Sequence, residues 1–133
     1  MYRVNDMTIQ TLEKSFSICK LPAAFEKSEG KNCKFLFAAC ADGEYSLLCP
    51  SECVPENALE RSDGWRAFRI APPVKLDMVG LLSDISRILA RAEVSVMPVG
   101  TFDTVYFFLR SDGYLKALGA LGENGYKVEM AYL

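Results

Sequence analysis

Histidine does not occur in this chain of 133 residues. Its absence removes the side chain most used for proton transfer near neutral pH, and with it every triad or metal site that depends on imidazole. An excess of one charge is also missing, since 15 basic residues stand against 17 acidic ones. Such a balance does not equip a surface to grip a phosphate backbone or an anionic lipid face, so nucleic acid is not expected as a partner. No apolar run reaches the roughly 18 residues needed to cross a bilayer, and no membrane contact is expected. No positively charged and apolar leader precedes the cysteines, which number five, at Cys19, Cys33, Cys40, Cys49 and Cys53. The simplest expectation is a cytoplasmic protein with reduced thiols, its buried cysteines acting as small apolar fillers. Cys49 and Cys53 are spaced CxxxC, but no second pair lies at zinc-ribbon distance, so no metal and no cofactor is expected.

What the chain does have is apolar content: half of its residues are hydrophobic, enough for a core in one ordinary domain or two very small ones. Periodicity divides it near Ser62-Asp63-Gly64, giving expected domains of 1–62 and 63–133. In the second of these, Arg66, Phe68 and Ile70 alternate with Trp65, Ala67 and Arg69, a strand that ends at Pro72-Pro73. From Asp77 the spacing becomes helical, with Met78, Leu81, Leu82, Ile85, Ile88, Leu89 and Ala92 as the apolar stripe and Asp77 as its N-cap. Residues 94–99 and 105–109 read as two strands, near-continuous in apolarity and therefore expected at central positions. A shorter helix from about Ser111 carries Leu115, Leu118 and Leu121 on one face and ends at Gly125. Tyr126 to Tyr132 alternates as a last strand. The order βαββαβ predicts an α+β, ferredoxin-like unit with an antiparallel sheet and two helices on one face.

The first half has no long helical stripe. Thr8 to Leu21 alternates loosely, residues 35–40 and 45–49 are strand-like, and Asp42-Gly43 between them is a hairpin turn. Residues 51–61 are expected to hold one short helix. This half reads as a reduced, β-rich companion, too small to keep a core of its own and packed beside the second unit.

Two places could carry chemistry. At the start of the first helix, Leu76 to Leu82, free backbone amides and the positive end of the dipole suit a carboxylate or phosphate, and Gly80 removes a Cβ that would hold a ligand away. The competing reading is that Gly80 only lets the helix pack closely on the sheet. At the polar turn from Gly100 to Thr104, Asp103 and the hydroxyls of Thr101 and Thr104 could meet an ammonium or guanidinium group. Alternatively, Asp103 simply holds the turn. The start of the helix and this turn need not lie at the same end of the unit. Cys40, Asp42 and Glu44 form no nucleophile–base pair, and Tyr106, Phe107 and Phe108 read as core because no basic groove accompanies them. No catalytic residue is expected.

The segments Glu44-Tyr45-Ser46-Leu47-Leu48-Cys49-Pro50, Gly64-Trp65-Arg66-Ala67-Phe68-Arg69, Leu76-Asp77-Met78-Val79-Gly80-Leu81-Leu82 and Thr101-Phe102-Asp103-Thr104-Val105-Tyr106 resemble, in that order, the small tandem ACT-domain proteins. That family is related to the regulatory region of aspartate kinases and to the CASTOR-type arginine sensors. The resemblance implies an ACT fold, a first ACT-like module with reduced helices, and side-by-side joining of modules. It also implies a non-catalytic regulatory role in which a small amino acid binds between modules. The site residues carried by the resemblance are Asp77, Met78, Val79, Gly80 and Leu81 in the loop, with Gly100, Thr101, Asp103 and Thr104 in the turn. A homodimer is the expected assembly. Two positions depart from the family pattern, Gly100 where a serine is common and Val105 where an acidic residue is common. Both remove polar groups from the site and favour the other reading, a protein-interaction module that binds no metabolite.

Overall fold

A computed structural model describes residues 4–26, 33–74 and 80–130. Seven strands and two helices succeed one another as β1 (Thr8–Leu21), β2 (Phe37–Ala41), β3 (Glu44–Pro50), β4 (Glu60–Ile70), α1 (Leu81–Arg91), β5 (Met97–Gly100), β6 (Val105–Arg110), α2 (Tyr114–Glu123) and β7 (Lys127–Glu129). The protein is α+β, and its strand pairing is mostly antiparallel. No helix among the described residues is long and apolar enough to cross a membrane. The chain forms two compact units, Met1–Glu13 with Arg66–Leu133, and Lys14–Trp65. Both β1 and β4 have one end in each.

The first unit contains the expected order β4-α1-β5-β6-α2-β7. Its strands lie in the sequence β5-β6-β4-β1-β7 across the sheet. The β7 strand is parallel to β1, pairing Thr8 with Lys127, Ile9 with Val128 and Gln10 with Glu129. An antiparallel unit closed by its own four strands is therefore corrected in one respect: β1, from the far end of the chain, lies between β4 and β7. The reason is visible in burial. Ile9 is fully buried in the same core as Phe68, Ile70, Phe107, Leu109 and the inner faces of both helices, whereas Lys127 and Glu129 of the short β7 strand are exposed, as suits an edge. The Phe68 and Phe107 rings stack at 5.0 Å across β4 and β6.

Three further expectations for this unit change. The β5 strand is an edge, not central; its burial alternates, and Pro98 has no amide hydrogen to offer a further neighbour. In α1 the buried positions are Leu81, Ile85, Ile88 and Leu89, while Leu82 is 47% exposed. Leu82 precedes Ile85 by three residues and Leu89 by seven, so it sits at the border of that stripe, in the first turn of the helix. In α2 the buried positions are Tyr114, Ala117, Leu118 and Leu121, and Leu115 is 73% exposed. Leu115 and Leu121 are six residues apart, well over a hundred degrees around the helix, so they do not share a face. Tyr114 closes the base of α2 on the sheet: its hydroxyl donates to Ala67 O at 2.6 Å, and the Arg66 guanidinium lies 4.3 Å from its ring centroid. Burial pushes the Tyr114 phenol above its ordinary value.

In the second unit, β3 pairs with β1 from Phe16↔Pro50 to Leu21↔Tyr45, and β2 with β3 from Phe37↔Leu48 to Ala41↔Glu44. The β2–β3 hairpin turns at Asp42 and Gly43, whose φ angles are 49° and 77°. Two successive positive φ values are what a two-residue hairpin demands, and Asp-Gly is a pair that accepts them. A small core gathers around Cys19, Leu21, Leu47 and Cys49. The helix expected over 51–61 is not formed. Ser51–Cys53 is a single 3-10 turn, and the chain from Glu60 is already strand, running through Ser62-Asp63-Gly64 with Gly64 at φ 85°. The expectation of five reduced thiols is likewise corrected: Cys33 and Cys53 form a disulfide, with Cα atoms 6.4 Å apart, a separation a disulfide spans without moving the backbone. Cys19 and Cys49 are buried thiols, as expected, and Cys40 is an exposed one.

Candidate functional site

The β4 strand ends at Ile70, and the chain from there to Val74 sets the geometry of the site. Thr104 is buried, and its hydroxyl donates to Ile70 O at 2.6 Å. Further along, Val74 N donates to Asp103 O at 2.7 Å. These two bonds fasten the 101–104 turn to the end of β4. From Val74 only residues 75–79 intervene before Gly80, which stands at the N-cap of α1 with φ 89°. The turn is thereby held at the end of β4, by bonds between positions about thirty residues apart that no local sequence pattern signals.

The turn is internally braced. Thr101 N donates to Thr104 O at 2.8 Å, and the Thr101 hydroxyl donates to Thr104 O and accepts from Thr104 N, each at 3.2 Å. Both threonine hydroxyls therefore have bonds within the protein. The carboxylate of Asp103 belongs to an exposed residue, and beside it Phe102 is 84% exposed. Gly100, the last residue of β5, is exposed, and a Cβ there would meet nothing within 4 Å.

At the start of α1, the left-handed conformation of Gly80 is one that an L side chain adopts only at a cost. Gly80 O accepts from Asp84 N at 2.8 Å. Leu81 turns its side chain into the core, so only its backbone can face a ligand. The N-cap is Gly80 rather than Asp77, a correction to the expected start of the helix. Asp77, Met78 and Val79 lie outside the described residues. Sequence reasoning also missed Asp84. Its carboxylate accepts from the Tyr126 hydroxyl at 2.6 Å and pairs with Arg87, so the first-turn charge that complements the helix dipole is partly met inside the protein. Arg87 was legible from the three-residue spacing, but Tyr126 is 42 residues away.

A second polar group belongs to the same unit. Arg69 donates to Gln10 Oε1 at 2.9 Å and to the Tyr106 hydroxyl at 3.1 Å, and Gln10 Nε2 donates to Glu129 Oε1 at 3.2 Å. The alternation of β4 puts Arg69 on the face opposite Phe68, but its partners are not signalled by any spacing. Among the described residues no group of three or more His, Cys, Asp or Glu side chains could hold a metal ion.

Residues 60–123, from the start of β4 to the end of α2, match the ACT-domain model. Solved structures share the fold over most of the chain. An Agobacterium tumefaciens protein superposes with a TM-score of 0.80 at 20% identity, covering 93% of this chain and 92% of that one. The ligand-free regulatory subunit of aspartate kinase from Thermus thermophilus gives 0.64 at 6%, covering 86% and 95%. The aspartate kinase of Clostridium acetobutylicum gives 0.64 at 12%, covering 91% of this chain and 34% of the kinase. No curated protein matches the sequence. At these identities the likeness is one of fold, which this chain shares with a regulatory subunit and with part of a larger kinase.

Proposed function

We propose that the protein is a non-catalytic regulatory module that binds a small amino acid at the end of the ACT domain where the 101–104 turn meets the start of α1. The observation that carries this reading is the pair of bonds Thr104 Oγ1 to Ile70 O and Val74 N to Asp103 O. They fasten the turn that carries the exposed Asp103 to the end of β4, from which residues 75–79 lead in sequence to Gly80. In this reading backbone amides at the start of α1 meet the carboxylate of a zwitterionic ligand, and Asp103 meets its ammonium. The resemblance adds Asp77, Met78 and Val79 to the ligand-facing loop. In this reading residues 1–62 are a reduced first ACT-like module beside the ACT domain of residues 63–133, the assembly is a homodimer, and the protein is cytoplasmic. Binding shifts packing between modules or subunits by its differential affinity for the two arrangements.

Thermal shift or calorimetry against the twenty amino acids at millimolar concentration tests the proposal, and no response to any of them refutes it. In the Asp103→Ala variant the responding amino acid should bind more weakly while the fold persists. Equal affinity would remove Asp103 from the site.

A second reading, a protein-interaction module with a vestigial site, draws on the exposure of Phe102 and Leu82 at that same end, and on Gly100 and Val105. Under it, light scattering reports a stable dimer that no amino acid alters.

A further inference from the structure

We propose that Cys33 and Cys53 are a redox-reversible clasp on the second unit, closed and opened by exchange with low-molecular-weight disulfides and thiols. Cys53 ends the 3-10 turn Ser51–Cys53, and that turn is tied down from several sides. The Ser17 and Ser51 hydroxyls share a hydrogen bond of 2.8 Å, Arg61 Nη2 donates to Ser51 O at 3.4 Å, and Lys14 pairs with Glu52 at 3.2 Å. Cys33 is different: it lies in irregular chain before β2, twenty residues away in sequence. Shortly after it, Phe35 meets Phe16 edge to face at 6.3 Å, and Leu36 packs on the core around Cys19, Leu21, Leu47 and Cys49. The bond thus joins a fixed turn to a segment with little other regular structure, and closes over that small core.

The remaining cysteines are arranged so that the exchange stays with this pair. Cys19 and Cys49 belong to the same core and are 3% and 0% exposed. Burial pushes both thiols up, that of Cys49 to about 12, so both remain protonated near neutral pH. A protonated thiol does not attack a disulfide. Cys40 is exposed on β2, on the far side of the Asp42–Gly43 turn from β3. Cys33 and Cys53 themselves are only half-buried and open to a small reagent.

Closure takes two exchanges. The thiolate of one cysteine attacks a small-molecule disulfide, forming a mixed disulfide and releasing one small thiol. The second protein thiolate attacks the protein-side sulfur of that mixed disulfide, forming the Cys33–Cys53 bond and releasing the second small thiol. Two protein thiols lose two electrons and two protons, and one small disulfide becomes two thiols. Opening is the reverse, driven by excess thiol.

The test uses oxidised glutathione and dithiothreitol as the two poises, with alkylation in denaturant, then intact mass and peptide mapping. After oxidised glutathione, Cys19 and Cys49 should label, Cys40 should either label or carry one glutathione, and Cys33 and Cys53 should be joined to each other; after dithiothreitol, all five should label. Without denaturant, only Cys40 should label in the oxidised protein. Reduction should lower Tm by about 10 °C, as expected for opening a loop of this length in a chain of this size. The Cys33→Ser and Cys53→Ser variants should each lose that redox dependence. Five labelled cysteines after oxidised glutathione, a bond mapped to another pair, or one Tm at both poises would each overturn the proposal. Thiol counting does not depend on the variants folding.

Discussion

Replacing Thr104 by valine isolates the bond that fastens the turn to β4. Valine has nearly the shape of threonine, so the change opens no cavity, and the side chain is buried in both proteins. What it removes is the hydroxyl that donates to Ile70 O at 2.6 Å. A neutral hydrogen bond contributes about 1 kcal/mol net, and leaving the buried Ile70 carbonyl without that donor adds a desolvation cost of about 1 kcal/mol or more. Together these give a loss of about 2 kcal/mol, or a Tm lower by roughly 8 °C for a chain of this size. Urea unfolding monitored by circular dichroism should show a lower midpoint with an unchanged slope, because the unfolded surface is the same. Thr104→Ser keeps the hydroxyl and should recover most of the loss. Under the proposed function, Thr104→Val also weakens amino-acid binding, since Asp103 and Gly80 are no longer held at one end. If Thr104→Val and wild type share one midpoint, the hydroxyl does not fasten the turn and the argument for the site falls with it.

Other perturbations test other parts. Leu118→Ala should cost about 2–5 kcal/mol by emptying a buried position, while Leu115→Lys should change stability by less than about 0.5 kcal/mol; equal costs would mean that α2 presents another face to the core. Gly80→Ala should cost about 1–2 kcal/mol, because alanine is strained in the left-handed backbone that glycine adopts freely; a Tm unchanged from wild type would contradict the conformation at the start of α1. The Ser17 hydrogen bond, and then Arg61, hold the Asp63 carboxyl below its ordinary 3.8. A depressed acid contributes stability above its unfolded value and loses it as pH falls, so the contribution should fade below pH 3.8. Ser17→Ala should flatten the acid limb of a Tm-against-pH curve, and identical limbs would remove this pair from the acid response.

Much of the fold was legible because its signals are local. The change from period two to period three or four at the first helix, the Asp42-Gly43 hairpin and the apolar 105–109 strand each depend on residues within a few positions. Errors arose where a side chain's fate depends on something distant. Leu82 and Leu115 look like stripe members by type, and only the direction of the core shows them to be outside. Residues 94–99 are as apolar as a central strand, yet β5 ends the sheet because no strand among the described residues lies beyond it. The candidate site was half legible: the glycine before α1 and the polar turn could be named, but not that Ile70 and Val74 hold the turn at the end of β4. Cys33 and Cys53 could not be paired, since an odd count of five favours no partnership.

The place of β1 between β4 and β7 bears on how the protein is made. Ile9 faces Val128 across a parallel pair, so β1 waits for β7 before the sheet of the first unit is complete. On a ribosome, everything from Thr8 to Glu129 must emerge before that pairing can form. Residues 60–123 cut out alone would leave β4 with an open edge where β1 belongs, and Phe68 and Ile70 without Ile9 beside them. Folding of the whole is therefore governed by closure of a very long loop, which slows it relative to proteins built on neighbouring contacts. A tag or truncation near Thr8 should disturb the far end of the sequence as much as the near one.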